Sequence, residues 1–545
     1  MIKNFTKAVF VVLITGAVPA LAQQFQVAPD VSGDDYVNKV LINGSSVTCV
    51  GGTNATGAGS YDAMLLSGDL NGTFSSQVQI GGAGSETFRA IHKFTTNTTA
   101  IAGASNSFST TPANIDDILV AMLGITGTPL WITVLGTDSI DRTFAIKEGN
   151  DGSVIVAGQT KQGGANAKFN GIVSKLNATT GTVIWSKSVG TEYTNEVIYD
   201  VQPIGNGYLV LGYSGVNVIG LNDCMAVILN EDGTKSGAFI FGGPGDDDAR
   251  SYVNGPSSKF FVAGNARNIG QGNGDAFLAR FDVTNFPPVL DWFKTYGGTA
   301  SESFSTACPN SSNNGVILVG STQSFGTGGD AFAISVDSDG AIVWSKVYGG
   351  TGADFFQNVA EDGSGGFVAA GFSNSFPGTN NDAWIVRMDA NGSSLCNEST
   401  AAFVAETIAN NVAYADFTHA SLADIVSTDS TLTVRNISAL ASNNNAVTPN
   451  TLCSTVSVDE NSAADVVSVY PNPAGETLNL NFGVNAADAK GMIIYNALGA
   501  KVYETTLSNI TSVFSADISN LANGFYTAII MMNNAEVTAK FSVAK

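Results

Sequence analysis

Histidine is nearly absent from this chain of 545 residues: there are two, His92 and His419, far apart. A two-histidine metal site or a Ser-His-Asp triad is therefore poorly supported, and no Cys-x-x-Cys, phosphate loop or His-Glu-x-x-His occurs. Charge is also scarce. Only 13% of residues are charged, which argues against long solvent-exposed helices. Basic residues are the rarer sign, 24 against 46 acidic, and a net charge of -22 excludes electrostatic binding to nucleic acid or anionic lipid. Long apolar runs are missing beyond the first residues, so the mature chain is expected to have no transmembrane segment.

The one apolar run, Ala8 to Val18, follows Lys3 and Lys7 and precedes Ala20-Leu21-Ala22. That order reads as a signal peptide over 1–22, cut between Ala22 and Gln23. Cysteine is sparse and odd in number: Cys49, Cys224, Cys308, Cys396 and Cys453. Cys49 and Cys224 sit in apolar strand-like runs and read as small buried hydrophobes. Cys396 and Cys453 flank a polar segment and are the pair expected to bridge after export, although spacing alone leaves the reduced alternative open.

Glycine, by contrast, is abundant, with 61 residues, and it is periodic. Block markers Gly82, Gly136, Gly190, Gly243, Gly298 and Gly350 recur every 52 to 55 residues. A second register closes apolar β-branched runs such as Val316-Ile317-Leu318-Val319. A third is an Asp or Asn opening another apolar run: Asp62, Asp117, Asn170, Asp223, Asp275, Asp330 and Asp382. Seven occurrences give seven repeats of four short strands, the last two strands joined by turns such as Asp337-Ser338-Asp339-Gly340. The expected fold is all-β, a seven-bladed β-propeller over 23–397. The seventh repeat lacks a good fourth strand, and Phe25 to Ala28 could supply it and close the structure. Residues 398–461, poor in Gly, read as a linker or small β appendage, and 462–545 as a small Ig-like β-sandwich.

The run Tyr348-Gly349-Gly350-Thr351-Gly352-Ala353-Asp354, followed by Gly371-Phe372-Ser373-Asn374-Ser375 and Asp382-Ala383-Trp384, resembles the SBBP-type β-propeller repeat of bacterial exported proteins. That resemblance implies a fold and little about a ligand. Asn177 to Trp185 resembles the tryptophan-docking element of quinoprotein propellers, and Ser335 to Trp344 approaches the Asp-box of sialidases. In their own families both are packing devices. The tail carries Tyr470-Pro471-Asn472-Pro473, a turn ending in Gly499, the element Leu521-x-x-Gly524-x-Tyr526 and terminal Lys545. It resembles the type A C-terminal sorting domain of the type IX secretion system. The resemblance implies a translocon and a sorting peptidase as partners, and a secreted or outer-membrane-attached location in a Gram-negative bacterium.

An acidic residue follows each marker: Asp35, Glu86, Asp141, Glu196, Asp248, Glu302 and Asp354. Seven such carboxylates could ring a channel mouth, bind calcium or select basic ligands. The plainer alternative is that each accepts hydrogen bonds from turn amides and staples neighbouring repeats. With no catalytic constellation found, the expected function is a non-enzymatic surface or released binding and adhesion protein that needs no cofactor and engages a surface glycan or protein. A secreted glycoside hydrolase or quinoprotein-like oxidoreductase, or a structural part of a surface or motility apparatus, stands as the alternative.

Overall fold

The computed structural model describes residues 24–454 and 467–545, apart from 31–32, 55–59, 110–114, 162–167, 217, 285–286, 377–379, 410–411, 416–424, 430–431, 437–440, 446–447, 483–485, 487, 497–498, 508–509, 511 and 534–535. Residues 1–23, which include the expected signal peptide and the expected cut between Ala22 and Gln23, and His419 lie outside the described residues. The described chain is all-β and forms two compact units, Met1–Thr455 and Val456–Lys545.

In the first unit each repeat makes one antiparallel sheet. The first strands of the seven sheets are Asp35–Asn43, Glu86–Lys93, Asp141–Glu148, Glu196–Ile204, Asp248–Asn254, Glu302–Asn310 and Asp354–Glu361. The second and third strands are buried on both faces, as at Gly315–Thr322 and Asp330–Val336, which is why their sequences run apolar instead of alternating. Seven apolar clusters fill the spaces between consecutive sheets, one per junction. One of them joins sheet seven to sheet one through Val368, Ile385, Val37 and Met64. The Val40 amide donates to Asn358 Oδ1 (3.0 Å) across that same junction. The sheets thus follow one another in a closed circuit.

The N-terminal strand Phe25–Asp30 pairs with Asp382–Met388 as the fourth strand of sheet seven, at the position expected from the sequence. A latch connects three of the seven neighbouring pairs. Trp131, Trp185 and Trp344 each donate their indole N–H to a hairpin-turn carbonyl of the next sheet: Ala178 (2.7 Å), Glu231 (3.1 Å) and Ala390 (2.9 Å). The turn glycine Gly392 has φ +75°, and a Cβ there would lie 2.7 Å from the Trp344 ring. At the closing junction Phe25 replaces tryptophan beneath Gly72. The two tryptophan-bearing motifs accordingly occupy packing positions.

Residues 398–454 correct the expectation of a linker or separate appendage. Seven short strands from this segment each add a fifth strand to a different sheet, pairing with the edge left by the fourth. They run against the repeat order: Glu398–Thr400 on sheet six, Val404–Thr407 on five, Ala413–Ala415 on four, Val426–Asp429 on three, Thr433–Asn436 on two, Ala441–Asn445 on one and Thr448–Ser454 on seven. The segment is a belt that makes one full circuit. Its composition resists a sequence reading because each strand is only three to seven residues long and carries no core of its own. Backbone pairing to an existing edge holds it.

The second unit has a three-stranded sheet (Ser468–Tyr470, Thr477–Asn481, Val513–Asp517) and a four-stranded one (Ala489–Asn496, Lys501–Thr506, Gly524–Met532, Glu536–Val543). Both contribute to one core, with Leu478, Leu480 and Ala516 from the first meeting Met492, Ile494, Ala528, Ile530 and Phe541 from the second.

Candidate functional site

The seven carboxylates of the expected channel ring stand at the start of the first strands, and two of them, Asp248 and Glu302, line a cavity described below. Asp35, Glu86, Asp141, Glu196, Glu302 and Asp354 are buried. Five of them accept from the turn amide at or just after the block marker: Gly82 to Glu86 (2.7 Å), Thr137 to Asp141 (2.6 Å), Thr191 to Glu196 (2.9 Å), Gly298 to Glu302 (3.0 Å) and Gly350 to Asp354 (2.9 Å). The same groups accept a hydroxyl from the second strand, from Ser105, Thr160, Ser214, Thr322 and Ser373. In sheet five the staple is Asp247, which accepts from Gly243 N (2.6 Å), and Asp248 instead binds Arg250 through two contacts of 2.9 and 3.0 Å. The ring reading is therefore corrected. Burying these carboxylates demands hydrogen bonds, and turn amides are the donors nearest to them.

The third-register residue of one sheet meets the staple of the next. A Cβ on Gly297 would lie 2.1 Å from Asp275 Oδ1 and 2.7 Å from Glu302 Oε2, and one on Gly349 would meet Asp354 and Asp330. This crowding is the physical reason for the glycine period. Burial pushes Asp141 and Asp330 up to about 6, and Asp247 and Asp275 up to about 7. At Asp275 the adjacent Glu302 adds to that rise. In sheet three Asn170 takes the Asp position, and assigning its amide so that both atoms are satisfied lets the nitrogen donate to Thr191 O (3.0 Å) and Glu196 Oε2 (3.3 Å).

What faces the axis is different. All seven first strands contribute to one cavity of about 210 Å³, lined by Lys39, Phe144, Lys147, Tyr199, Asp200 and Arg250, among others. Each first strand carries a β-bulge at the same place, releasing Asn38, Arg89, Phe144, Tyr199, Arg250, Ser305 and Gln357 from the ladder. A bulge re-aims one side chain without disturbing the pairs on either side. Arg89 lies over Phe144 (5.5 Å) and Arg250 over Tyr199 (5.0 Å). The charged residues lining this cavity are Lys39, Lys147 and Arg250 with one acid, Asp200.

Arg250 also lines a wider cavity of about 780 Å³ at the end where the first strands begin, beside Tyr213, Arg267 and Phe355. Its four acids are all engaged: Asp246 with Asn222 (2.7 Å), Asp247 and Glu302 with turn amides, and Asp248 with Arg250. Lys147 is shared with a third cavity of about 420 Å³, which contains His92. Burial and the Lys147 charge lower His92 to about 4, so its imidazole is neutral. Sequence reasoning missed the axial residues because the bulge position carries no repeated residue type. A seven-fold alignment of first strands was the signal that could have found them.

Cys396 and Cys453 are bonded, joining the belt's beginning to its end, and Cys49, Cys224 and Cys308 are buried thiols. In the second unit the tail-motif residues converge. Asn472 Oδ1 accepts from the Ser542 amide (2.9 Å) and hydroxyl (3.0 Å), tying the Tyr470-Pro471-Asn472-Pro473 segment to the last strand. Lys545 Nζ donates to the carbonyls of Ser519 and Leu521, Tyr526 donates to Ala522 O (2.8 Å), and Leu521 is buried. Gly499 (φ +75°) closes the hairpin beside Asn496, and Gly524 opens the strand that carries Tyr526.

Residues 468–544 match the family model described as the secretion system C-terminal sorting domain. The match supports export by the type IX system, contact with its machinery, and a secreted or cell-surface location. No curated protein matches the chain. Among solved structures, a protein of unknown function from Dyadobacter fermentans DSM 18053 is similar at 11% identity and a TM-score of 0.35, over 67% of this chain and 99% of that one. No helix among the described residues is long and apolar enough to cross a membrane.

Proposed function

We propose that this protein is type IX cargo whose first unit is a seven-bladed β-propeller acting at or beyond the cell surface as a non-enzymatic binding module. The closed order of seven sheets around one axial cavity supports the propeller, and the sorting-domain match supports the route. One observation carries the binding role: the polar cavity of about 780 Å³ combines aromatic rings and arginines with carboxylates that are already engaged as acceptors. Acids committed to amides and guanidinium groups are poorly placed to exchange protons with a substrate, whereas planar donors beside aromatic rings suit a polar ligand such as a surface glycan.

Two experiments test the proposal. Cells carrying the full chain are fractionated beside cells carrying a form that ends before Val466. Surface delivery of the shortened form would sink the route. The purified protein is then screened against immobilised glycans and surface-protein extracts, and capture of neither, together with turnover of a glycoside or alcohol substrate, would replace the binding reading with the enzymatic one.

A further inference from the structure

The axial cavity holds an unusual charge arrangement for so acidic a chain. Lys39, from the first strand of sheet one, lines it and makes no hydrogen bond or ion pair among the described residues. Asp200 and Lys147 act on it through space, and burial lowers its pKa. Asp200 itself accepts the amides of Val201 (2.9 Å) and Tyr252 (2.9 Å). Arg250 is neutralised by Asp248. The remaining lining charges are Lys39 and Lys147 against Asp200, an excess of one positive charge. In a partly desolvated space that excess is costly until an anion joins it.

Size narrows the ligand. Pockets for whole small molecules commonly span about 300–1,000 Å³, so a cavity of about 210 Å³ admits one small group, and the 780 Å³ cavity on the other side of the shared residue Arg250 is large enough for what that group is attached to. One uncompensated positive charge calls for a monoanion in preference to a dianion.

We propose that Lys39, with Lys147 lining the same cavity, is the anchor of an axial subsite for a single carboxylate carried on a small polar molecule of the sugar-acid class. This inference rests on the binding reading above and names the ligand chemistry of the same site. The carboxylate could arrive as a free sugar acid or as the terminal residue of a glycan chain.

Calorimetric titration of the mature full chain tests this with sodium glucuronate, a glucuronate-terminated oligosaccharide, glucose and inorganic phosphate. Glucuronate is expected to bind one to one and at least tenfold more tightly than glucose or phosphate. Tighter binding of the oligosaccharide than of the monomer identifies a glycan end as the source, and equal binding identifies the free acid. Lys39→Met should weaken glucuronate at least tenfold, and Lys39→Arg should stay within a few-fold of the parent. Because removing the amine also isolates Asp200, the pair Lys39→Met with Asp200→Asn is measured alongside; it should keep the parent melting temperature and still lose binding. Glucuronate affinity unchanged in that pair, or absent from the parent, overturns the subsite. Capture of neutral glycans alone would leave the binding reading standing while the carboxylate assignment falls. Glucuronate binding without capture of any surface component would do the reverse.

Discussion

At the scale of single residues, the dominant feature is the buried carboxyl pair between sheets. A carboxyl whose pKa is raised in the folded chain holds a proton that the unfolded chain has released above about pH 4. The stability it contributes is complete below that value and is lost as pH rises through the folded pKa. For Asp141, Asp247, Asp275 and Asp330 that loss falls between about pH 4 and 7. Asp362 acts in the opposite sense. Its burial is outweighed by hydrogen bonds from Ser364 and by Arg387, which hold it below the usual range, so its contribution is lost on strong acidification. The melting temperature should therefore peak near pH 4, fall between about pH 4 and 7 and level off above that, which a calorimetric series from pH 3 to 8 measures. Sheet three already shows the remedy in Asn170. Asp275→Asn, whose amide can donate to Glu302, should stabilise the chain at pH 8 by about 2 kcal/mol and flatten the alkaline limb. An unchanged or lower melting temperature at pH 8 would show that the pair is not the source.

At the scale of elements, the N-terminal strand and the belt do work that no single repeat can do. Phe25 is buried against Phe74 and under Gly72, where other sheets use tryptophan. Phe25→Ala should cost about 3–5 kcal/mol, as large aromatic truncations in cores do, and chemical unfolding would register it directly. The belt strands are short, with their backbone paired to seven edges. Closing that segment with Cys396–Cys453 constrains the unfolded chain by about 4 kcal/mol in the chain-entropy model. Replacing both cysteines by serine should lower the melting temperature, and it should raise hydrogen exchange in 398–454 before exchange in the first strands. Equal exchange in both regions would mean that the belt and the sheets open as one unit.

At the scale of the whole molecule, sealing all seven sheet edges with one strap has a consequence for export. A chain with an unpaired fourth strand in every sheet would expose seven templates for edge-to-edge association. The belt covers part of each with a strand of only three to seven residues, a short edge that templates little further pairing, and its closure requires an oxidising compartment. A form ending at residue 397, which keeps the seven four-stranded sheets, should therefore self-associate, and light scattering at rising concentration would reveal it. If that form stayed monomeric, edge protection would not be the belt's purpose.

The period of glycines, the four-strand repeat, the borrowed N-terminal strand and the Cys396–Cys453 pair were all legible in the sequence, because each leaves a local mark: a turn, an apolar run, a spacing. The sorting tail was legible for the same reason, its motif residues meeting around Asn472, Tyr526 and Lys545. The direction in which a carboxylate points was not. The recurrence of the acids from Asp35 to Asp354 left a ligand ring and a turn staple both open, and five of them, Glu86, Asp141, Glu196, Glu302 and Asp354, prove to be staples, because a buried acid settles where amides and hydroxyls satisfy it. The bulged residues that do reach the axis share no residue type, and the belt has no hydrophobic period. Local chemistry determined the repeat, while the charge of the axis and the path of the belt were decided only when seven sheets came together and left one cavity and seven open edges.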